Sequence, residues 1–200
     1  MILPVVAYGD PVLKKEAVEI DQSFEGLSVL VENMFETMYN AQGVGLAAPQ
    51  IGQSIRLFVV DGSPFLEEDE EENEKDPRTI GLEGFKKVFI NPIIEDEIGE
   101  EWGFNEGCLS IPKIREEVYR KEKVVISYYD ENWVFHKKET FDGYAARIIQ
   151  HEYDHVQGIL FTDHLSVLKR KLLTKKLGNI SKGIVIVDYR MRFPAIKKGK

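Results

Sequence analysis

The sequence predicts an α+β fold in which antiparallel sheet predominates. Strand signals crowd together from Lys87 to Glu139, and Val124, Ile126 and Tyr128 alternate there as on a sheet with one wet face. Two other stretches, near residues 24–41 and 143–157, instead repeat apolar residues at helical spacing. At 200 residues, 43% hydrophobic and 30% charged, the chain has the size of one well-buried domain, residues 1–200.

In chain order, Met1 to Tyr8 is apolar but short, lacks a basic start and meets Gly9-Asp10-Pro11, so it does not read as a signal peptide. Nothing approaches a transmembrane run. One unpaired cysteine and no export signal point to the cytoplasm. Leu27, Leu30, Val31, Met34 and Met38 mark an amphipathic helix over 24–41, and its methionine-bearing stripe reads as core. Gly43 stops that helix and opens Gly43-Val44-Gly45-Leu46-Ala47-Ala48-Pro49-Gln50. The small residues let a substrate lie against the backbone, and Gln50 offers an amide donor. Taken alone, the segment reads equally as a Gly-rich connection; it lacks the Lys-Ser/Thr of a phosphate loop. Residues 56–60 then read as a strand.

Residues 66–84 read as an acidic surface insertion: 67–76 holds eight carboxylates and one lysine, a run that repels itself and buries little. Its spacing lacks the pattern and the glycine of a calcium loop. Strands are expected over 88–91, ending at Pro92, then over 93–98 and 102–104. Residues 124–129 and 133–139 flank Asp130-Glu131-Asn132 as a hairpin, with His136 at its surface. Leu165, Leu168, Leu172 and Leu173 suggest a helix packed on the body, and 183–188 a returning strand. The chain carries −8 overall, yet Lys169 to Lys200 alone carries +10, leaving −18 for the rest. That asymmetry steers the basic segment, about 165–200, toward phosphate-rich surfaces.

The chemistry centres on Gln150-His151-Glu152-Tyr153-Asp154-His155, an H-E-x-x-H motif in a segment where Ala145, Ile148, Ile149 and Glu152 follow helical spacing. Residues four apart stack on a helix, so His151 and His155 can offer imidazoles to one metal ion. Glu152 lies about 100° from His151 and about 60° from His155, beside such an ion without ligating it. A surface helix with two solvated histidines remains open on the motif alone. The third ligand decides the class. No Glu follows Glu152, and the position of a third His three residues past Gly158 is Phe161, with His164 too late. What remains is upstream: Cys108, the one cysteine, in Glu106-Gly107-Cys108-Leu109-Ser110. A lone cysteine is otherwise a small buried hydrophobe. Cys plus two His with an open fourth position is a catalytic arrangement.

Taken together and in this order, GVGLAAPQ, EGCLS and QHEYDH resemble the peptide deformylase family, over about Val5 to Leu165. The resemblance implies antiparallel β-sheets packed around a central metal-binding helix, and removal of the N-formyl group from formylmethionyl nascent polypeptides. It implies Cys108, His151 and His155 as ligands of one divalent ion, Fe²⁺ in the cell, with Zn²⁺, Ni²⁺ or Co²⁺ able to replace it. A divalent ion lowers the pKa of a bound water from 15.7 to about 7. Glu152 would move the proton, and the family places the oxyanion donors at the Gln50 side chain and the Leu109 N–H. A thiolate site holding iron would be oxygen-sensitive through Cys108. Gly43, Val44, Gly45, Gly107, Ile148 and His151 are the expected pocket for the methionine side chain, with the Gly-rich backbone pairing to the substrate as an added strand. Arg115 also falls where the family has an arginine. Ribosomal contact through the basic segment follows from action on emerging chains. A zinc endopeptidase and a non-catalytic, RNA-associated metal-binding module are the alternatives; an uncoordinated Glu152 argues against the second.

Overall fold

The computed structural model describes residues 1–66 and 76–195. Its elements are β1 (Val5–Val6), α1 (Leu27–Asn40), β2 (Gly45–Ala47), β3 (Leu57–Asp61), β4 (Lys86–Cys108), β5 (Ile111–Tyr129) and β6 (Phe135–Asp142). Then follow α2 (Gly143–Val156), α3 (Val167–Ser181) and β7 (Met191–Arg192). Strands β2-β3-β4-β5-β6 make one antiparallel sheet in that order, and β1 pairs with β7 in parallel.

The α+β architecture agrees with the sequence, and α2 is its centre. Apolar Ala145, Ala146, Ile148, Ile149 and Val156 are buried, but so are Arg147, Gln150, Glu152 and His155. A helix buried on its polar side as well as its apolar side normally finds partners for its polar groups, so an unpaired one, such as Glu152 Oε2, points to function. The helix starts where Asp142 accepts a hydrogen bond from the Gly143 N–H at 2.7 Å. One face packs on Phe58, Val60, Phe89, Val124, Ile126 and Tyr128 of the curved sheet. Each such side chain contributes about 1.5–3 kcal/mol by leaving water. Leu30, Met34 and Met38 of α1 are buried against Leu46, Leu57 and Val59 on another side of the sheet, as the stripe predicts.

Four local expectations need correction. The strand expected to end at Pro92 continues: 88–91, 93–98 and 102–104 are parts of the single strand β4, bent by register shifts at Ile90/Ile93, Ile94/Asp96 and Ile98/Glu101. Pro92 sits in the first of these bulges, where its missing N–H breaks no regular ladder. Asn91 takes a left-handed φ of 48° there, and its side chain brackets the Ile20 backbone at 2.7 and 3.0 Å. Residues 111–123, unassigned from sequence, are the first half of β5. The expected hairpin does form, its turn held by Asp130 accepting from Asn132 and Val134 N–H.

Helix α3 buries Leu173, Leu177 and Ile180, whereas Leu168 and Leu172 are 70% and 72% exposed. Its packing face is therefore rotated from the expected leucine stripe. Residues 183–188 are not a strand; the chain turns at Gly183 and pairs only at β7. Of the acidic insertion, 67–75 lies outside the described residues, and 76–84 is no loose excursion. Leu82 is fully buried, and the Arg78 guanidinium stacks on Trp102 and Tyr144 at 4.7 and 5.3 Å. Asp76 accepts from the Tyr144 hydroxyl at 2.8 Å. Gly143 explains the close fit: a Cβ there would lie 3.0 Å from the Arg78 Cα, at a φ of 54°.

Candidate active site

Cys108 ends β4 and is paired with Ile111 across the two-residue turn Leu109-Ser110. The turn aims its side chain at α2, where helical spacing presents His151 and His155 one above the other. Cys108 Sγ lies 3.3 Å from His155 Nε2, and ligand atoms of Cys108, His151 and His155 all fall within 4.8 Å of one another. Among the described residues these form the one cluster of three such donors. His136, by contrast, stacks on Tyr128 and bonds to Asp130 at 3.0 Å, while His164 bonds to Asp154 at 2.7 Å.

His151 is oriented by a carboxylate that sequence reasoning left unassigned. Its Nδ1 is 3.0 Å from Glu106 Oε2, which leaves Nε2 for the site. Glu106 is 3% exposed and accepts from Arg120 at 2.7 and 3.0 Å and from Arg147 at 2.9 Å. Arg120 reaches on to Asp154 at 2.8 Å, and Arg147 donates to the carbonyls of Val118 and Trp102 at 3.1 and 2.7 Å. Burial alone would raise the Glu106 carboxyl, but the bonds from His151 and Arg120 outweigh it and hold it far below the usual range. Burial likewise lowers the His151 pKa less than Cys108 and Glu106 raise it. The Cys108 thiol is pushed up by burial, yet His155 and His151 bring it down to about 5, so it is a thiolate at neutral pH.

Glu152 is buried on the same helix, and burial pushes its carboxyl up to about 7 against the pull of His151 and His155. Its Oε2 has no hydrogen-bond partner among the described residues. Across from it, Gln50 is fixed by its Oε1, which accepts from the Ala47 N–H at 2.8 Å; its Nε2 consequently faces Cys108 Sγ at 3.4 Å and Ser110 Oγ at 3.5 Å.

These groups open onto a cavity of about 830 Å³ lined by Gly43, Val44, Gly45, Gln50, Gly107, Cys108, Leu109, Ile148, His151 and Glu152. Every site residue expected from the sequence lines it except His155, which sits behind Cys108. Arg115 lies at the rim, its side chain against Gly107 and bonded to the Asn105 carbonyl at 3.4 Å. Strand β2 ends the sheet, leaving its outer edge without a neighbouring strand among the described residues. Gly45 has no room for a side chain: a Cβ would fall 2.8 Å from Glu152 Cγ and Cδ. A Gly45→Ala protein is therefore expected to lose about tenfold or more in turnover while folding normally, because small displacements of a reacting group are costly. Steady-state assay beside a melting curve checks this.

The donor set fits a divalent metal ion. A thiolate and two imidazoles suit zinc and iron, and 3.3 Å between sulfur and nitrogen is spanned by one ion at bond lengths of about 2.0–2.3 Å. The unpartnered Glu152 oxygen beside that position is the polar group such a centre leaves for a proton.

Similarity to known proteins agrees with this geometry. A family model described as polypeptide deformylase matches residues 2–171. The peptide deformylase of Christiangramia forsetii is 57% identical over 200 residues, covering all of both chains, and that of Flavobacterium johnsoniae is 54% identical over 202 residues, again covering both fully. A crystal structure of a peptide deformylase from Legionella pneumophila matches with a TM-score of 0.73 at 36% identity, covering 92% of this chain and 98% of that one. Deformylase 1B of Arabidopsis thaliana, in complex with an inhibitor, matches with a TM-score of 0.76 at 34% identity, covering 91% and 92%. The match spans every residue of the site from Gly43 to His155, and the chain belongs to the polypeptide deformylase family.

Proposed function

We propose that this metal-dependent enzyme removes the formyl group of N-terminal formylmethionine by a division of labour among five side chains and one backbone N–H. The observation that carries the reading is the buried Glu152 carboxylate beside the thiolate–imidazole cluster, its Oε2 without a partner among the described residues. Cys108, His151 and His155 hold the ion, ferrous iron in the cell, with zinc, nickel or cobalt able to replace it. When bound, the ion supplies Lewis acidity and makes water acidic enough to attack at neutral pH.

Glu152 accepts the proton of the attacking water and returns it to the departing amine nitrogen; burial raises its carboxyl above the usual carboxylate range, the direction that this task requires. Gln50 Nε2 and the Leu109 N–H donate to the formyl oxygen as it gains charge. Gly43, Val44, Gly45, Gly107 and Ile148 receive the methionine side chain, and the outer edge of β2 pairs with the peptide backbone. The zinc-endopeptidase alternative is not favoured by the relatives, nor is a non-catalytic module.

The test is formate release from formyl-Met-Ala-Ser by nickel-loaded protein. Rapid release with the acetylated peptide left intact supports the assignment; cleavage at internal peptide bonds, or no release from fully metallated protein, removes it.

No helix among the described residues is long and apolar enough to cross a membrane. We place the protein in the cytoplasm, at the ribosome. Lys169, Arg170, Lys171, Lys175 and Lys176 lie on α3, and Lys175 and Lys176 are exposed. Reversing both charges (Lys175→Glu, Lys176→Glu) is expected to weaken ribosome co-sedimentation, more so at low salt. Unchanged sedimentation would argue against this contact.

A further inference from the structure

The turn that carries Leu109 is held in part from outside the region that the family model spans. Leu109 and Ser110 connect β4 to β5, so their carbonyls fall outside the ladder between the strands. Each nevertheless has a donor. The Ser110 carbonyl accepts from the Tyr8 N–H at 2.8 Å, and the Leu109 carbonyl accepts from the Tyr189 hydroxyl at 2.7 Å. Tyr189 is 80 residues away in sequence and lies beyond residue 171, where the family match ends. With Val187 and Asp188 it lines the cavity itself.

The tail is tethered in this position rather than draped over it. Val5 N–H donates to the Arg190 carbonyl at 2.8 Å and Ala7 N–H to the Arg192 carbonyl at 2.9 Å, one residue and three residues past Tyr189. The Arg190 side chain returns to the Ile2 carbonyl at 3.3 Å. The tyrosine ring is therefore anchored by backbone pairing, and its hydroxyl meets a backbone acceptor on the residue proposed to supply the oxyanion donor. We propose that Tyr189 is a positioning residue for deformylation: by holding the Leu109 carbonyl it fixes the backbone of that residue, and with it the direction of the N–H in the preceding peptide toward the formyl oxygen. The proposal rests on the role assigned above to the Leu109 N–H.

The hydroxyl is separable from the ring. Tyr189→Phe keeps the wall of the cavity and deletes only the hydrogen bond, typically worth about 0.5–1.5 kcal/mol, or up to about tenfold in an equilibrium or rate. A donor that acts on the transition state should register in kcat and leave KM in place. The experiment compares full-length, nickel-loaded wild type, Tyr189→Phe and Gln50→Ala for formate release from formyl-Met-Ala-Ser, with melting curves and metal content alongside. The expected result is a kcat lowered about two- to tenfold in Tyr189→Phe, with KM and metal content essentially unchanged and Tm lowered by no more than a few degrees. If Gln50→Ala loses turnover while Tyr189→Phe keeps wild-type kcat, the positioning role is overturned and the site assignment stands. A Tyr189→Phe protein that loses Tm and metal together, with kcat per bound metal unaltered, marks a purely structural contact and also overturns it. If wild type releases no formate, the assignment and the positioning role fall together.

Discussion

Glu152→Ala, loaded with nickel, is expected to release formate from formyl-Met-Ala-Ser about 10²–10⁴-fold more slowly than the unaltered protein. The expectation follows from where the carboxylate is, not only from its motif. It is buried, its Oε2 has no partner among the described residues, and burial raises its carboxyl above the usual range, the direction that suits a group that must take and give a proton. It is not one of the three clustered ligand donors, so the variant should keep its metal. Removing a poorly solvated carboxylate offsets part of the cost of the small cavity left behind, and Tm should stay within a few degrees. KM for the peptide should change little, because the pocket residues are untouched. Metal loss in parallel with activity would show that the residue supports the site instead of acting on substrate. Wild-type turnover in the variant would remove the acid–base role altogether.

Glu106→Ala should have the largest effect on stability. Glu106 accepts from Arg120, Arg147 and His151 in a setting where all four side chains are largely buried. Deleting the carboxylate leaves Arg147 with only carbonyls and Arg120 with only Asp154. Removing one partner from such a buried network typically costs about 3–5 kcal/mol, because the remaining charges stay desolvated. For a chain of this size that corresponds to a Tm lower by roughly 10 °C. His151 also loses the bond that orients it, so metal affinity should fall about 10–100-fold. Calorimetry and equilibrium dialysis check the two parts separately. A Tm within two degrees of wild type would show that solvent replaces the carboxylate at low cost.

The difference between these two residues explains what the sequence could disclose. Glu152, His151 and His155 are fixed relative to each other by one helix, so spacing alone places them together. Cys108 is reached by elimination of the downstream Glu and His positions that would complete other H-E-x-x-H sites. Glu106 lies two residues before Cys108, yet its role is not legible in the sequence, because its partners are 14, 41 and 45 residues away and meet only through the fold. Tyr189 was missed for the same reason. The long β4–β5 hairpin was obscured by its own exposure: charged residues alternate with Ile114, Val118 and the buried Arg120, so the apolar signal is weak. Pro92 gave a false stop because a bulge absorbs it. Helix α3 has leucines on several faces, and nothing local distinguishes the buried Leu173 from the exposed Leu172. The packing of 76–84 depends on Trp102 and Tyr144, which no reading of an acidic run would supply.

The parallel pairing of β1 with β7 also has a bearing on time. Val5 and Met191 are register partners, so the bond that seats the tail joins residues at opposite ends of the described chain. Contacts this remote in sequence are late to form, since the entropy of closing so long a loop must be met before the contact returns anything. The cluster on α2 and the turn opposite it are built from residues that precede α3, whereas Tyr189, in the wall beside Leu109, follows it. The β1–β7 pairing, and with it the wall beside Leu109, is therefore expected to be among the last contacts to form.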